Sequence, residues 1–513
     1  MYKKSWCFAV LFSILNLVSA QGNTEAFRYF NQGIGGSTKS LGSANAFGAV
    51  GGDVISASIN PGGMGMIRKS QLNFGLNIHS NTAQAQYITN AMQGDGNTGI
   101  GLGHAGLIVS ILKRDDKNRL ITEGLNNLTF YFNYNRHSDY RTGITFEGNN
   151  TKSSFTDYLA EQANGQLYTN MNINSLGYLG FQSYLIEPKL LQGYDDSFAS
   201  LITSFNTNVR QKVIINRSGS AGDYNLGAAG NFNNKFYFGM GLIIKSGKMK
   251  ESFTFEERDF ADTIYSGMTY NQYLETAASG AGLNLGGILK LTESFRIGLS
   301  YASAVRLAVT DRYTRSIVAN FDRPVGNPPR RVITATTPDY NFDNIQDTLV
   351  YKYKFGTPSR TNISLAYIIK KSGFISFDAE YFKPTGSKFF PVSDNYIFSD
   401  ENNALRTELK AVWNLRFGGE FVLGKYRLRA GYAYYPSYQK SLAPAELNNF
   451  NRQFYTLGFG YNEKNYTFSA AMVINRMNEV FIPYQLRMSN NFHQSRIKNS
   501  GFNLQFGATL NIN

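Results

Sequence analysis

Cysteine is almost missing from this chain: among 513 residues the single one is Cys7. It lies inside an apolar stretch from Trp6 to Val18, which follows Lys3 and Lys4 and ends in Val18-Ser19-Ala20. A short basic start, an apolar run and a small-residue junction read as a cleaved secretory signal over residues 1–20. The mature chain then has no thiol, which excludes a disulfide scaffold, a thiol enzyme and a Cys-based zinc protein. Cys7 is not at the junction, so a lipoprotein anchor is excluded too. Histidine is scarce, at 79, 104, 137 and 493. No His-Glu-x-x-His pattern, metal-ligand spacing or Gly-x-Ser-x-Gly elbow marks a metal or hydrolytic site. The reading is therefore no enzyme, no catalytic residue, no metal and no cofactor. Long apolar runs are missing as well. The longest later candidate, Gly106–Leu112, is far short of the ~18 residues a spanning helix needs. Proline is rare at 12 residues, while Gly, Phe and Tyr number 50, 39 and 33, a balance that suits strands. The formal charge is +14, but the Lys and Arg are dispersed without a basic run. For an exported chain this excludes nucleic acid as the partner and favours anionic outer-membrane lipid, lipopolysaccharide included, or attraction of acidic solutes.

What is present is a hairpin grammar, clearest in Ala411–Tyr435, AVWNLRFGGEFVLGKYRLRAGYAYY. Trp413, Leu415, Phe417, Gly419, Phe421 and Leu423 share one face of a period-2 strand. Asn414, Arg416, Gly418 and Glu420 share the other. Gly424-Lys425 makes a two-residue turn with Gly first, as a type II′ hairpin prefers. The return strand places Tyr426, Leu428, Ala430, Tyr432 and Tyr434 on the apolar face. That turn pairs Leu423 with Tyr426 and Glu420 with Arg429, so both alternations stay in register. An aromatic, apolar outside over a charged inside is the pattern of a transmembrane β-barrel hairpin.

The grammar repeats. Asn362–Ile369 turns through Lys371-Ser372-Gly373 into Phe374–Phe382. Leu283–Leu291 turns through Thr292-Glu293-Ser294 into Phe295–Ala302. Tyr455–Tyr461 turns through Asn462–Asn465 into Tyr466–Ile474. Gly222–Phe232 turns at Asn233-Asn234 into Lys235–Lys245, and Leu128–Tyr134 turns near Asn135–Asp139 into Tyr140–Phe146. Single strands at Gln71–His79 and Ser500–Asn513 bring six hairpins to about fourteen strands, an even number. Long polar stretches separate the hairpins, roughly Gly148–Gly219, Ser246–Thr276, Val305–Lys354, Pro384–Arg406 and Pro436–Arg452. Short turns on one side and long loops on the other match the periplasmic and extracellular ends of an outer-membrane barrel. Gly99–Gly106, GIGLGHAG, has a phosphate-loop look without the strand and helix such a loop requires, so it reads as flexible loop, and His104–Leu112 goes with it. The expected architecture is all-β: a transmembrane antiparallel β-barrel over 70–513, with long extracellular loops and a small-residue N-terminal plug over 21–69. It would sit in the outer membrane of a Gram-negative bacterium.

The plug region carries a resemblance. Gly35–Met66, GGSTKSLGSANAFGAVGGDVISASINPGGMGM, is similar to the plug of the FadL/TodX/OMPP1 family of outer-membrane transporters for hydrophobic compounds. In that family a Gly/Ala-rich stretch is followed by an Asp and by Asn-Pro-Ala-Gly before the first strand. Here the Asp is Asp53 and the motif is Asn60-Pro61-Gly62-Gly63, with Gly62 in place of Ala. Thr357-Pro358-Ser359-Arg360 before NISLAYII, the hairpin described above, and YTLGFGYN at Tyr455–Asn462 extend the resemblance over most of the mature chain. It implies a fourteen-strand barrel with an N-terminal hatch and passive uptake of long-chain fatty acids or other hydrophobic molecules. It also implies a lateral exit beside a kinked third strand near the Asn-Pro motif. Gly143 is the weak point expected there, since a Gly inside a strand marks a bend. The gating set is then Asp53, Asn60, Pro61, Gly62 and Gly143.

A fatty-acid-like cargo needs a dry groove and a cation. Each buried CH₂ contributes about 0.8 kcal/mol, so the tail binds without further help. Leu179, Phe181, Tyr184 and Leu185 in the largest loop are the apolar candidates. Arg416 and Arg427 on inner faces are the carboxylate candidates, because guanidinium pairs with carboxylates in a bidentate fork. Arg429 is expected to pair with Glu420 instead. The rival function is a barrel subunit of a secretion or surface-assembly machine that binds protein partners through its long loops. The expected state is a monomer.

Overall fold

The computed structural model describes residues 33–88, 90, 93–189, 196–201, 208–260, 264–337, 349–393, 397–440, 451–486, 493 and 495–512. The expected signal peptide lies outside these residues. The hairpin legible in the sequence forms as Val412–Leu423 and Tyr426–Tyr435, with Leu423 opposite Tyr426 and Glu420 opposite Arg429. Trp413, Phe417 and Phe421 are about half exposed, at 46%, 48% and 54%, whereas Asn414 and Arg416 retain 5% and 6%. The apolar face therefore points outward and the polar face into the lumen, as a lipid-facing wall requires.

Fourteen staves close into one antiparallel barrel. In chain order β1 is Ser70–Tyr87, β2 Gln93–Leu112, and β3 Leu125–Asp139 continued by Thr142–Asn150. Then come β4 Val209–Phe232, β5 Phe236–Arg258, β6 Tyr265–Lys290, and β7 Phe295–Ala302 continued by Arg306–Val325. Next are β8 Leu349–Gly356 continued by Arg360–Ile369, β9 Gly373–Phe382 continued by Lys388–Pro391, β10 Val412–Leu423 and β11 Tyr426–Tyr435. The last are β12 Arg452–Asn462, β13 Tyr466–Phe481 and β14 Ser495–Ile512. Ser70 pairs with Ile512 and Tyr87 with Ser495, which closes the ring without an edge. An outward apolar band runs round the lower part of the wall, from Phe74 on β1 through Phe238 on β5 and Leu365 on β8 to Phe506 on β14.

The count of fourteen agrees with the sequence, but two of its assignments change. Leu128–Tyr134 and Tyr140–Phe146 are not a hairpin. Both lie on β3, run the same way and pair with β4. His104–Leu112 is not loop but the lower half of β2. The two errors cancel in the total. Gly99–Gly106 is likewise strand, paired with β1. Its inward Gly99 and Gly101 carry no side chain because Arg141 and Arg136 lie over them. The polar stretches Ser246–Thr276 and Val305–Lys354 are also largely strand. Above the membrane the outer face is polar and the apolar residues, such as Phe255, Val309 and Phe355, sit on a mixed inner face, so the lipid-facing alternation fades while the ladder continues. Arg330–Thr337 pairs back on upper β7 as an extra hairpin arm.

An ordered cap covers the outer end. Its elements are α3 (Phe155–Ala163), α4 (Leu176–Gln182) and the small sheet Ile186–Pro188 with Phe198–Ser200. Ser154 and Asp157 form a capping box that fixes the start of α3. Leu179 (0% exposed) and Leu185 (1%) are buried in the cap's own core. Phe155 packs against the rings of Phe255, Tyr270 and Tyr484, which joins the cap to upper β5 and β6 and to the segment after β13. At the centre, Glu257 near the top of β5 is fully buried. It accepts hydrogen bonds from Ser154 Oγ (2.7 Å), the Phe155 N–H (2.8 Å) and Gln211 Nε2 (2.6 Å).

Burial pushes the Glu257 carboxyl up to about 7, above its hydrogen bonds' opposing pull. Between the usual carboxylate value near 4.3 and pH 7 the folded cap keeps a proton that the open cap releases. Cap stability is therefore greatest at acid pH and falls as pH rises through that window, by on the order of 3 kcal/mol. Amide exchange of residues 154–163 is expected to be slower at pH 5 than at pH 8, and Glu257→Gln to remove that difference beyond the intrinsic pH effect.

Candidate functional site

The plug is backbone-rich. Before β1 come α1 (Thr38–Leu41), α2 (Ser56–Ile59) and a 3₁₀ turn at Pro61–Met66, all set inside the ring. Short helices in a lumen leave many carbonyls to satisfy. The inner wall supplies the donors. Gln505 Nε2 reaches the Gly36 carbonyl (2.9 Å), Ser376 Oγ that of Ala46 (2.5 Å), Arg296 Nη1 that of Val50 (2.8 Å) and Ser300 Oγ that of Ile59 (2.6 Å). In the other direction, the Gly48 N–H donates to Asp378 on β9 (3.1 Å).

The motif residues build the plug's own frame. Asp53 accepts from Ser37 Oγ (2.5 Å) and from the Ile55 N–H (3.0 Å), tying the start of α1 to the turn before α2. Asn60 Nδ2 donates to the Gly48 carbonyl (2.7 Å) and, across to β6, to that of Gly287 (3.0 Å). Its Oδ1 accepts from the Gly62 N–H (3.1 Å), with Pro61 opening the 3₁₀ turn where no N–H is needed. Gly62 has a steric reason. A Cβ there would meet the Tyr237 carbonyl at 2.8 Å and Gly287 Cα at 2.9 Å. The wall approaches closely because it is itself glycine at 286 and 287, so the familial Ala does not fit this seat.

The kink lies elsewhere than expected. Gly143 is within the regular ladder, opposite Asn216 on β4. Asn60 packs on β6, not beside Gly143. The irregularity is at Arg136–Ser138, where the β3–β4 register slips by one residue around His137. There β3 also leaves β2. Their ladder ends at His104–Asn135, and among the described residues no pair joins β2 above His104 to β3 above Asn135. Upper β3 instead tucks behind β1 on the lumen side. Asn81 Nδ2 on β1 donates to the Arg141 carbonyl (3.2 Å), and Tyr87 stacks with Phe146 at 5.4 Å. An ionic cluster holds the bend: Asp139 takes His79 (3.0 Å), Arg136 (2.6 Å) and Arg141 (2.7 Å). The plug touches this point, because Gly33 and Gly35 lie directly on the His137 and Arg136 carbonyls. None of His79, Arg136, Asp139 or Arg141 stood out in the sequence. The available signal was a dense run of charge, Arg136 to Arg141, inside an otherwise alternating strand.

Above the plug is a cavity reached by Ile34, Ile243, Leu283 and Phe382 and by three arginines, Arg360, Arg416 and Arg452. A smaller cavity shares His137, Lys245 and Thr357 with it and is lined by Ala221, Met249, Ala278 and Leu307. Arg416 donates to Asn362 Oδ1 (2.9 Å) and stands 3.7 Å from both Asp378 and Glu380. Arg427 is not in the cavity. It donates to the carbonyls of Gly424 (2.6 Å) and Tyr426 (2.9 Å), closing its own lower turn. Arg429 pairs with Glu420 at 2.6 Å. Of the loop residues, Phe181 is partly buried beside Phe198, and Tyr184 is 44% exposed, while Leu179 and Leu185 are enclosed.

Fold and site together define a plugged outer-membrane β-barrel. No family model matches the chain. It is 29% identical over 194 residues to outer membrane protein P1 of Haemophilus influenzae, and 27% over 191 residues to a second P1 sequence of that species. Each match spans 36% of this chain and about a third (36%) of the relative's length. A Pseudomonas aeruginosa FadL homologue superposes with a TM-score of 0.54 at 13% identity, over 94% of this chain and 99% of its own. The chain thus has the fold of FadL-type barrels, and the resemblance read in its plug motif holds. Its place is the outer membrane of a Gram-negative cell.

Gly62→Ala is expected to cost the seated plug about 1–3 kcal/mol through overpacking. Protease nicking of the plug and single-channel conductance should both rise. Arg416→Met leaves the buried Asp378 carboxylate without its cation and Glu380 with Arg360 at 3.5 Å, a loss of about 3–5 kcal/mol. It should lower the thermal midpoint, and Asp378→Asn with Glu380→Gln should restore most of it.

Proposed function

We propose that this chain is a channel for passive uptake of hydrophobic small molecules across the outer membrane, with long-chain fatty acids in the substrate class. The observation that carries the reading is the seam between upper β2 and upper β3, where among the described residues the wall has no ladder and the plug's Gly33 and Gly35 rest on the bend. A cargo that cannot cross a polar pore in water can leave such a barrel sideways, into lipid. The lumen cavity suits an amphipathic cargo. Ile34, Ile243 and Phe382 offer the tail apolar contact, and Arg416 with its neighbours Arg360 and Arg452 offers a carboxylate a cationic end. Exposed Tyr184 and the partly buried Phe181 of the cap are the capture residues. Asp53, Asn60, Pro61 and Gly62 hold the plug that has to shift.

The secretion-machine alternative draws less support. It needs apolar loop surface for a partner; the cap's Leu179 and Leu185 are used in its own core, and only residues such as Leu167, Ile173 and Tyr184 among those described there stay exposed.

The sequence's lone cysteine is Cys7, so introduced thiols can be addressed once it is gone. Gly101→Cys with Arg136→Cys, joined by a short bifunctional thiol reagent, bridges the seam. Uptake of a labelled long-chain fatty acid by cells that rely on this protein is expected to fall to background and return on cleaving the bridge. Toluene uptake, run in parallel, separates a fatty-acid channel from an aromatic-hydrocarbon one. Undiminished uptake of both through the bridged barrel would overturn the lateral route.

A further inference from the structure

The outer wall carries a basic field at one height and on one side. Three outward rows cross β5 to β8 in register, and the lowest runs on to β9. In the lowest, Ser246, Ser279, Ala308, Lys354 and Phe390 stand opposite one another. In the next, Lys248, Ala277, Thr310 and Lys352 do so. In the third, Lys250, Glu275, Arg312 and Val350 do so. On β4 the same rows continue as Ser220 and Ser218, which are uncharged. Arg306 enters from just below, its guanidinium 4.3 Å from the Phe390 ring, with Lys388 beside the same ring. Glu275 is the single carboxylate in these rows, and three cations share it: Lys248 at 2.9 Å, Lys250 at 3.7 Å and Arg312 at 3.7 Å. Those three side chains are about half exposed, at 55%, 49% and 47%. The field keeps a clear excess of positive charge.

Its height says what it meets. Down the same outward columns come Ile244 and Leu242 on β5 and Ala281 and Leu283 on β6. On β7 the outward residue beneath the break is Tyr301, 46% exposed at the top of the band. The cations therefore begin where hydrocarbon contact ends. Neighbouring strands lie ~4.8 Å apart and alternate residues ~6.8 Å, so the field is roughly 20 Å wide and 14 Å tall. That is the scale of a lipid headgroup. Flexible lysines and an aromatic-backed arginine suit phosphate oxygens, which take charge-assisted hydrogen bonds.

We propose that this face of β5–β9 binds the phosphate groups of an anionic glycolipid of the outer leaflet. The site is independent of any cargo route through the lumen. Its side chains lie on the outside of the wall, so its failure and a failure of uptake are separable.

The test uses the full chain in neutral detergent, with diphosphoryl lipid A as probe and its dephosphorylated form and inorganic phosphate as comparisons. Retained lipid is read by native mass spectrometry, and the thermal midpoint is followed in parallel. Diphosphoryl lipid is expected to bind and raise the midpoint, less so at high salt. The dephosphorylated lipid should do neither, and inorganic phosphate should bind only weakly. Lys248→Gln, Lys250→Gln, Lys352→Gln and Lys354→Gln together should weaken binding at least about tenfold, since each cation near an anionic headgroup layer adds to affinity. All four side chains are surface groups, so the lipid-free midpoint and the uptake activity should hold. Lys113→Gln with Lys117→Gln, at the periplasmic turn, should leave lipid binding unchanged. Equal binding of the dephosphorylated lipid, or undiminished binding by the quadruple variant, overturns the proposal. So does inorganic phosphate that matches the lipid.

Discussion

In hydrocarbon an unpaired peptide group has no water to turn to, so a sheet can cross a membrane only by closing on itself. That constraint organises this molecule. The ladder from Ser70–Ile512 to Tyr87–Ser495 joins the two ends of the chain's wall, and each neighbouring register follows from it. Once the ring is closed, the outward residues must be apolar and the inward ones are free to be polar. The lumen can then be lined with asparagine, serine and glutamine. Those side chains hold the plug, whose own carbonyls would otherwise go unsatisfied inside the barrel. Closure therefore accounts for the plug's mode of attachment: Gln505 on β14, Ser376 on β9, and Ser300 and Arg296 on β7 each take one plug carbonyl.

Much of this could be read from residues. Where a strand has lipid on one side and a polar lumen on the other, the alternation is strong enough to fix register, as in Val412–Leu423 and its partner. The reading failed where one of those two conditions lapsed. On β2, Gly99 and Gly101 take the inward places because arginines from β3 occupy the space, and a strand with glycine on one face looks like loop. On β3 the bend at His137 breaks the alternation and imitates a turn. Above the membrane, β5 to β8 keep their ladders with a polar outer face and a mixed inner one that includes Phe255, Val309 and Phe355, so the lipid-facing alternation that marks the lower strands is gone. In the cap, Leu179 and Leu185 looked like a groove but form a core, since apolar loop residues more readily cover one another than wait for a ligand. Arg427 and Arg416 are alike in sequence and differ in height, and height decides whether an arginine meets the lumen or a turn.

The charged side chains in the lumen fall into two kinds. Some are tied to one partner and act as wall, such as Arg429 with Glu420. Others are shared among several: Arg416 stands between Asp378 and Glu380, and Asp139 among His79, Arg136 and Arg141. Shared charge suits places where geometry has to change, because one contact can loosen while the rest persist. Both shared clusters lie where the plug meets the wall, Asp378 beneath Gly48 and Arg136 beneath Gly35.

The seam above His104 and Asn135 divides the barrel mechanically. Below it the wall is a hoop, whose circumference is fixed by its hydrogen bonds. Above it the same strands form a curled ribbon, running from β3 the long way round to β2, with its overlapping ends held by side chains such as His79 and Asp139 and not by a ladder. A hoop cannot widen without breaking a ladder, but a ribbon can relax its curl while every ladder stays intact. The molecule thus combines a rigid collar at the periplasmic end with a compliant sleeve at the other.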